Sequence, residues 1–152
     1  MIEKIRVYVD MDGVLADFRK SYHAKKTENL KYPQAVPGFW ENLDPMPGAI
    51  EGYNKLKEIF DVWILTAPSV KNPICYTEKR IWIEKHLGFD ECNRLIISPN
   101  KSLLKGDYLI DDTLMKGVPD FEGEHIHFGI SENFMNWEDV INYIPEMENN
   151  IL

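Results

Sequence analysis

The sequence predicts an α/β fold: a parallel sheet of about five strands with helices on both faces. Three observations predict it. Short runs rich in β-branched and aromatic residues recur at residues 5–9, 61–66, 94–97, 107–110 and 125–128. Stretches with apolar residues at helical spacing, or loops, separate them. The first two runs are nearly continuous in their apolarity, which fits strands buried on both faces of a parallel sheet.

Ile5-Arg6-Val7-Tyr8-Val9 is the first strand, and it runs straight into Asp10, Asp12 and Gly13. In open α/β sheets ligands bind at this carboxyl end. Extended residues i and i+2 point the same way. Two like charges on one side are costly unless a cation sits between them or one holds a proton. Gly13 permits a sharp exit and close approach of a ligand. Two readings fit these residues equally. One is a Mg²⁺-dependent phosphate site with Asp10 as nucleophile. The other is a strand ending in a polar turn, since Asp and Gly are ordinary turn residues.

Residues at about 19–44 form a polar insert with scattered aromatics. Arg19 to Leu30 has room for a short helix, and Pro33, Pro37 and Gly38 make the rest irregular. The insert follows the first strand, so it lies over the sheet's carboxyl end as a short cap. Phe18, Phe39 and Trp40 can face a bound base there, or form the cap's own small core.

Pro45-Met46-Pro47-Gly48 then leads into a helix, where Ala49, Tyr53, Leu56 and Phe60 recur at helical spacing to about Ile59. Residues 61–66 are the second strand, ending in Thr66-Ala67-Pro68-Ser69. Thr77 can cap a helix from Glu78 to Leu87, stopped by Gly88. Lys79 falls near its start, close to the Thr66 loop. The other lysines and glutamates from Glu78 to Lys85 read as a solvated face, and Trp63 and Trp82 as core or core edge.

The third strand, 94–97, leads to Ser98-Pro99-Asn100-Lys101, and the fourth, 107–110, ends in Asp111-Asp112. His125 and His127 alternate on the fifth. With no Cys or third His nearby, they read as strand-face residues rather than a metal pair. Asn136 caps a last helix with Trp137, Val140, Ile141 and Ile144 on one face. Pro145 ends it, and Met147 to Leu152 frays.

A chain of 152 residues suggests one domain, here 1–152, large enough for a core without staples. The net charge of −8 argues against a long groove for polymeric nucleic acid, which needs clustered Lys and Arg. A small phosphorylated substrate remains compatible with it, because one metal ion and one or two lysines make a locally positive site. No apolar run suits a bilayer span and the first residues lack a signal pattern, so no membrane partner is expected. Cys75 and Cys92 form no CxxC motif and read as thiols of a reducing cytoplasm. A homodimer is left open.

Polar residues therefore arrive at four strand ends, which a parallel sheet gathers on one edge: Asp10 and Asp12, Thr66, Lys101, and Asp111 with Asp112. Each type has work in phosphoryl transfer. Asp10 can attack phosphorus. Mg²⁺ takes oxygen ligands, which Asp10, one of Asp111 or Asp112, and the Asp12 carbonyl can supply. Thr66 can donate to the phosphoryl group and Lys101 can neutralise it. Asp12 can protonate the leaving oxygen and later deprotonate water.

The ordered series DMDGVLADF, LTAP, NK and LIDD resembles the four motifs of the haloacid dehalogenase superfamily of phosphatases, built on a Rossmann-like sheet. The extended first motif, with LDPMPGA and YTEKRIWIEKHLG, is similar to the 5'(3')-deoxyribonucleotidases, from Ile5 to about Phe128. The resemblance implies a phosphoaspartate at Asp10, acid/base work at Asp12, and phosphate contacts at Thr66 and Lys101. It implies Mg²⁺ on Asp10, the Asp12 carbonyl and Asp112, with Asp111 behind them or as the alternative ligand. It puts Lys79 toward the phosphate and Phe18 at the nucleoside. Ala67 stands where some relatives have Ser, which leaves a backbone N–H to serve the phosphate. The cap is far shorter than in the animal enzymes.

The activity this implies is hydrolysis of (deoxy)nucleoside monophosphates through an aspartyl-phosphate. Two rivals share parts of the pattern. One is a phosphatase of the same fold acting on another small phosphoester, such as a sugar phosphate or a 3'-phosphate end. The other is a receiver-type signalling domain, against which the motif order argues: the phosphoacceptor here lies on the first strand and the paired acids come late.

Overall fold

Five parallel strands form one sheet in a computed structural model that describes residues 3–150. They are β1 (Arg6–Val9), β2 (Asp61–Thr66), β3 (Leu95–Ile97), β4 (Tyr108–Asp111) and β5 (Glu124–His127), in the order β3-β2-β1-β4-β5. The chain winds outward from β1 to β3, then returns across β1 to β4 and β5. The direction therefore reverses beside β1, and the crevice at that switch point opens where β1 ends at Val9 and Asp10 follows.

Side chains alternate between two buried faces. Val7, Val9, Ile64, Ile110 and Ile126 enter one apolar cluster, and Tyr8, Leu65 and Leu109 enter the other. The helices α2 (Ala49–Ile59), α3 (Cys75–Leu87) and α4 (Trp137–Asn149) all contribute to the first cluster, through Tyr53, Trp82 and Trp137 among others. The opposite face packs on Val118 and Phe121, at the 3-10 turn Val118–Asp120. The connections running from β1 out to β3 cover one face and the β4–β5 connection covers the other, the division that the right-handed rule for parallel crossovers requires of this strand order. The second face is thus covered by short 3-10 segments rather than a long helix. Gly52 lets α2 and α4 meet, because a Cβ there would lie 2.2 Å from the Trp137 ring.

Three local expectations are corrected. The helix placed at Glu78 starts at Cys75, after Asn72 Oδ1 accepts from the N–H of Ile74. Thr77 therefore lies inside the first turn. The last helix does not stop at Pro145 but continues to Asn149. Proline costs that helix one hydrogen bond, and the extra turn buries Met147 completely. The expected fraying at Met147 is thus wrong for Met147; residues 151–152 lie outside the described residues. The helix sought within Arg19 to Leu30 is α1 (Phe18–Lys25), capped by Asp17 Oδ1 on the N–H of Lys20. Among the described residues no helix is long and apolar enough to cross a membrane.

Candidate active site

The site grows from the first turn after β1. The N–H of Asp10 still bonds the carbonyl of Ile110, so Asp10 is held as a continuation of the ladder. The chain then folds back, with the amides of Leu15 and Ala16 both on the carbonyl of Met11. Gly13 sits in this turn at φ 81°, and a Cβ there would lie 2.1 Å from Asp112 Oδ2. Glycine is what lets Asp112 approach Asp10.

Lys101 opens a 3-10 turn capped by Asn100. Its Nζ donates to Asp10 Oδ1 at 2.7 Å and to Asp111 Oδ2 at 2.5 Å. An ammonium has three donors, so one is left over. Asp111 is fully buried, and its other oxygen accepts from the N–H and hydroxyl of Thr113. Both oxygens of Asp111 are thus occupied.

Asp112 differs. Its Oδ1 is buried with no hydrogen-bond partner. One oxygen from each of Asp10, Asp111 and Asp112 lies within 4.8 Å of the others. Burial pushes the Asp10 carboxyl well above its ordinary range; Lys101 opposes this, and Asp111, Asp12 and Asp112 add to it. Burial and then Asp111 push Asp112 up to about 6. Burial pulls the Lys101 ammonium down, but Asp10 and Asp111 outweigh it and hold the pKa above the usual lysine value. Acids gathered this closely take up protons or a cation. An all-oxygen donor set with an unpartnered buried oxygen fits Mg²⁺. Satisfaction of both Asp111 oxygens favours Asp112 over Asp111 as a ligand.

Thr66 ends β2, fully buried, and is not itself among the residues that border the cavity over the site. Asp12 lies opposite, one oxygen bonded to Lys79 at 2.8 Å and the other buried with no partner. Above these residues is a cavity of about 450 Å³. Asp10, Asp12, Asp112 and Lys101 line its polar end, and Phe18, Trp40, Pro68 and Met115 its apolar side. Ala67 also borders it, as do Arg19, Gln34, Ser69 and Lys116.

Two expected pocket residues are placed elsewhere. Phe39 packs beneath Phe18 and Trp40, 2% exposed, as the cap's own core rather than a wall for a base. Lys79 lies behind Asp12 and does not border the cavity. Phe18 and Trp40 do border it, their ring centroids 5.5 Å apart.

Glu78 is not part of a solvated face. It is 3% exposed, and its carboxylate accepts from the backbone N–H groups of Gly38 and Trp40 in the cap. Trp82 Nε1 donates to the Leu43 carbonyl, and Asn72 and the Trp40 indole both donate to the Gln34 carbonyl. The segment over the site is therefore tied to α3 and to the loop before it. Sequence reasoning missed Glu78, Gln34, Arg19 and Lys116. Glu78 carried one signal, its place beside Lys79 in the expected helix; the others carried none beyond lying in the cap or soon after Asp112.

His125 and His127 are partly buried, their ring centroids 4.8 Å apart and the rings tilted by 34°. Their Nε2 atoms lie 2.9 and 3.1 Å from the carbonyls of Asp111 and Asp112. Carbonyls only accept, so each ring donates there and props the backbone of the two acids.

Comparison with known proteins gives one consistent result. Residues 26–145 match the family described as "5' nucleotidase, deoxy (Pyrimidine), cytosolic type C protein". A Vibrio phage KVP40 protein provisionally named 5'(3')-deoxyribonucleotidase is 40% identical over 147 residues, covering 93% of this chain and 85% of that one. The human 5'(3')-deoxyribonucleotidase, cytosolic type, is 32% identical over 168 residues, covering 88% of this chain and 84% of that one. The solved structure of YfnB of Bacillus subtilis, provisionally named a hydrolase of haloacid dehalogenase type and bound to magnesium, superposes with a TM-score of 0.65. It shares 12% identity and covers 93% of this chain and 99% of its own.

Proposed function

The chain belongs to the 5'(3')-deoxyribonucleotidase family of haloacid-dehalogenase-type hydrolases, and we propose that it is a Mg²⁺-dependent phosphatase of nucleoside monophosphates, deoxy and pyrimidine ones first. One observation carries the mechanism. Asp10, Asp12, Lys101 and Asp112 share the polar end of a cavity with an aromatic wall, and Asp12 and Asp112 each keep one buried oxygen unpartnered.

In this reading an oxygen of Asp10 attacks phosphorus as the bond to the nucleoside oxygen breaks. The free oxygen of Asp12 gives its proton to that leaving oxygen, then takes one from the water that hydrolyses the aspartyl-phosphate. Lys101 directs its remaining donor at the phosphoryl oxygens, and the Thr66 hydroxyl donates to them. Asp10, the Asp12 carbonyl and Asp112 would hold Mg²⁺, which supplies charge neutralisation at the phosphoryl group when bound.

The nucleoside lies against Phe18 and Trp40, whose faces suit a base. Gln34 borders the same cavity, and its Oε1 is buried without a partner while its backbone carbonyl is fixed by Asn72 and Trp40. A side-chain amide with unmet hydrogen-bonding capacity suits the donor and acceptor edge of a pyrimidine. Residues 19–44 serve as the cap, a fixed wall rather than a swinging lid. The protein acts without polymeric nucleic acid as substrate.

The test is turnover of purified protein on a panel of deoxy- and ribonucleoside monophosphates and sugar phosphates, with Mg²⁺ and with chelator. Preference for a pyrimidine deoxynucleotide, lost on chelation, is expected. Preference for sugar phosphates would move the reading to the rival substrate class.

A further inference from the structure

The ammonium of Lys79 is completely buried, yet it lies among the residues assigned to the chemistry. Its Nζ is 2.8 Å from Asp12 Oδ2, 2.6 Å from Thr66 Oγ1 and 2.8 Å from the carbonyl of Ala67. A lysine has three N–H donors and no acceptor, so these three contacts exhaust it. Nothing is left for a phosphate oxygen. That separates Lys79 from Lys101, which keeps one donor free.

The consequences fall on its partners. Asp12 is held by one oxygen, and the other is buried with no protein partner. At Thr66 the hydroxyl oxygen accepts from Lys79, so its own proton is left to point elsewhere. Trp40 closes the remaining side, with Lys79 Nζ 4.6 Å from the centroid of its ring. The residue before Lys79, Glu78, accepts from the backbone N–H of the same Trp40 and so holds the cap segment that carries it.

We propose that Lys79 is a positioning residue for the reaction read above. By filling three acceptors at once it sets Asp12 with one oxygen free for proton transfer and turns Thr66 into a donor toward the phosphoryl group. The proposal rests on the phosphatase reading but assigns Lys79 no contact with substrate. A desolvated lysine is costly to keep, and its loss would leave Asp12 Oδ2, the Thr66 hydroxyl oxygen and the Ala67 carbonyl without the donor they share.

Lys79→Met in the wild-type and Asp12→Asn backgrounds tests this, assayed on a nucleoside monophosphate and on p-nitrophenyl phosphate. The second substrate leaves as a stabilised phenolate and needs little protonation. Lys79→Met should lower kcat on the nucleotide by about 100-fold with KM nearly unchanged. The loss should be clearly smaller on p-nitrophenyl phosphate. In the Asp12→Asn background most of it should vanish, since groups that act as one unit are not additive. Should Lys79→Met fail to fold by circular dichroism, Lys79→Arg replaces it. Arginine keeps the charge but cannot bring three donors to one point, so the same leaving-group dependence is expected.

Three results would overturn the proposal. Full multiplication of the two losses would mean that Lys79 does not act through Asp12. A large rise in the inhibition constant for inorganic phosphate at constant kcat would make Lys79 a phosphate ligand. Equal losses on both substrates, in step with a lower folded fraction, would make it structural only. A wild-type protein that hydrolyses p-nitrophenyl phosphate and a sugar phosphate but no nucleotide would sink the substrate reading, and the sugar phosphate, whose leaving alkoxide also needs a proton, would take the nucleotide's place in this comparison.

Discussion

Lys101 and Asp10 are 91 residues apart in sequence and 2.7 Å apart in the fold. Both are buried, and Asp111 shares the same ammonium. Without Lys101 the end of β1 would hold three converging acids and no cation of its own. Lys101→Met should therefore lower kcat by about 1,000-fold, in line with loss of a preorganised charge at the transferring group. Steady-state kinetics at saturating Mg²⁺ checks it; an unchanged kcat would remove Lys101 from the reaction.

Asp10→Asn is nearly isosteric and takes away only the nucleophile proposed above. Turnover should fall to background while the far-ultraviolet spectrum stays that of the wild type. No phosphorylated protein should form on mixing with substrate. Residual activity well above background would mean that water attacks directly and no aspartyl-phosphate forms.

Asp112 gives the pH dependence. Burial and Asp111 hold its carboxyl up to about 6, above the unfolded value of about 3.9. A folded pKa above the unfolded one means that the native state holds its proton more tightly. The stabilisation is complete below the unfolded value and is lost as pH rises through about 6. In chelator, the wild-type melting temperature measured against Asp112→Asn should therefore decline between pH 5 and pH 7.5. Added Mg²⁺ should reverse this, raising the wild-type melting temperature more at pH 7.5 than at pH 5, because a ligand must lose its proton before it binds metal. Asp112→Asn should lose most of the Mg²⁺ response. A Mg²⁺ shift of equal size in both proteins would take Asp112 out of the metal site.

Gln34 tests the pocket reading. Gln34→Leu keeps the volume and removes the amide whose Oε1 lacks a partner. KM for the preferred nucleotide should rise about tenfold, the scale of one hydrogen bond to a base edge. Kinetics on p-nitrophenyl phosphate should change little. Equal effects on both would show that Gln34 shapes the cavity without reading the base.

Much of this site was legible because parallel strands deliver their carboxyl ends to one edge. Asp10, Thr66, Lys101 and Asp111-Asp112 each end or follow an apolar run, and the registers of β1 with β2 and β4 and of β2 with β3 gather them. Side-chain direction within a helix and inside an irregular insert was not legible. Lys79 and Glu78 are neighbours, and only the docking of α3 sends one to Asp12 and the other to the cap. Phe39 and Trp40 are neighbours too, and the fold of the cap alone decides which is core and which borders the cavity. The last helix ran past Pro145 because burial of Met147 outweighs a local rule about proline.

Glu78 carries the last prediction. Its buried carboxylate is an acceptor for two backbone donors, the amides of Gly38 and Trp40, which precede and carry the aromatic wall. Glu78→Ala would leave both donors without a protein partner, and the buried one, the Trp40 amide, costs about 1–3 kcal/mol when unsatisfied. Glu78→Gln keeps one acceptor oxygen and should fall between. The cap should loosen before the sheet does, since β1, β2 and β4 make their own hydrogen bonds. Hydrogen exchange should therefore speed up at the amides of Gly38 and Trp40 more than at Val9 or Ile110. With the wall loosened, KM for the nucleotide should rise more than KM for p-nitrophenyl phosphate, which leans less on Trp40. Exchange that speeds up equally in the cap and the central strands would mean that Glu78 supports the whole fold and the cap has no separate tether.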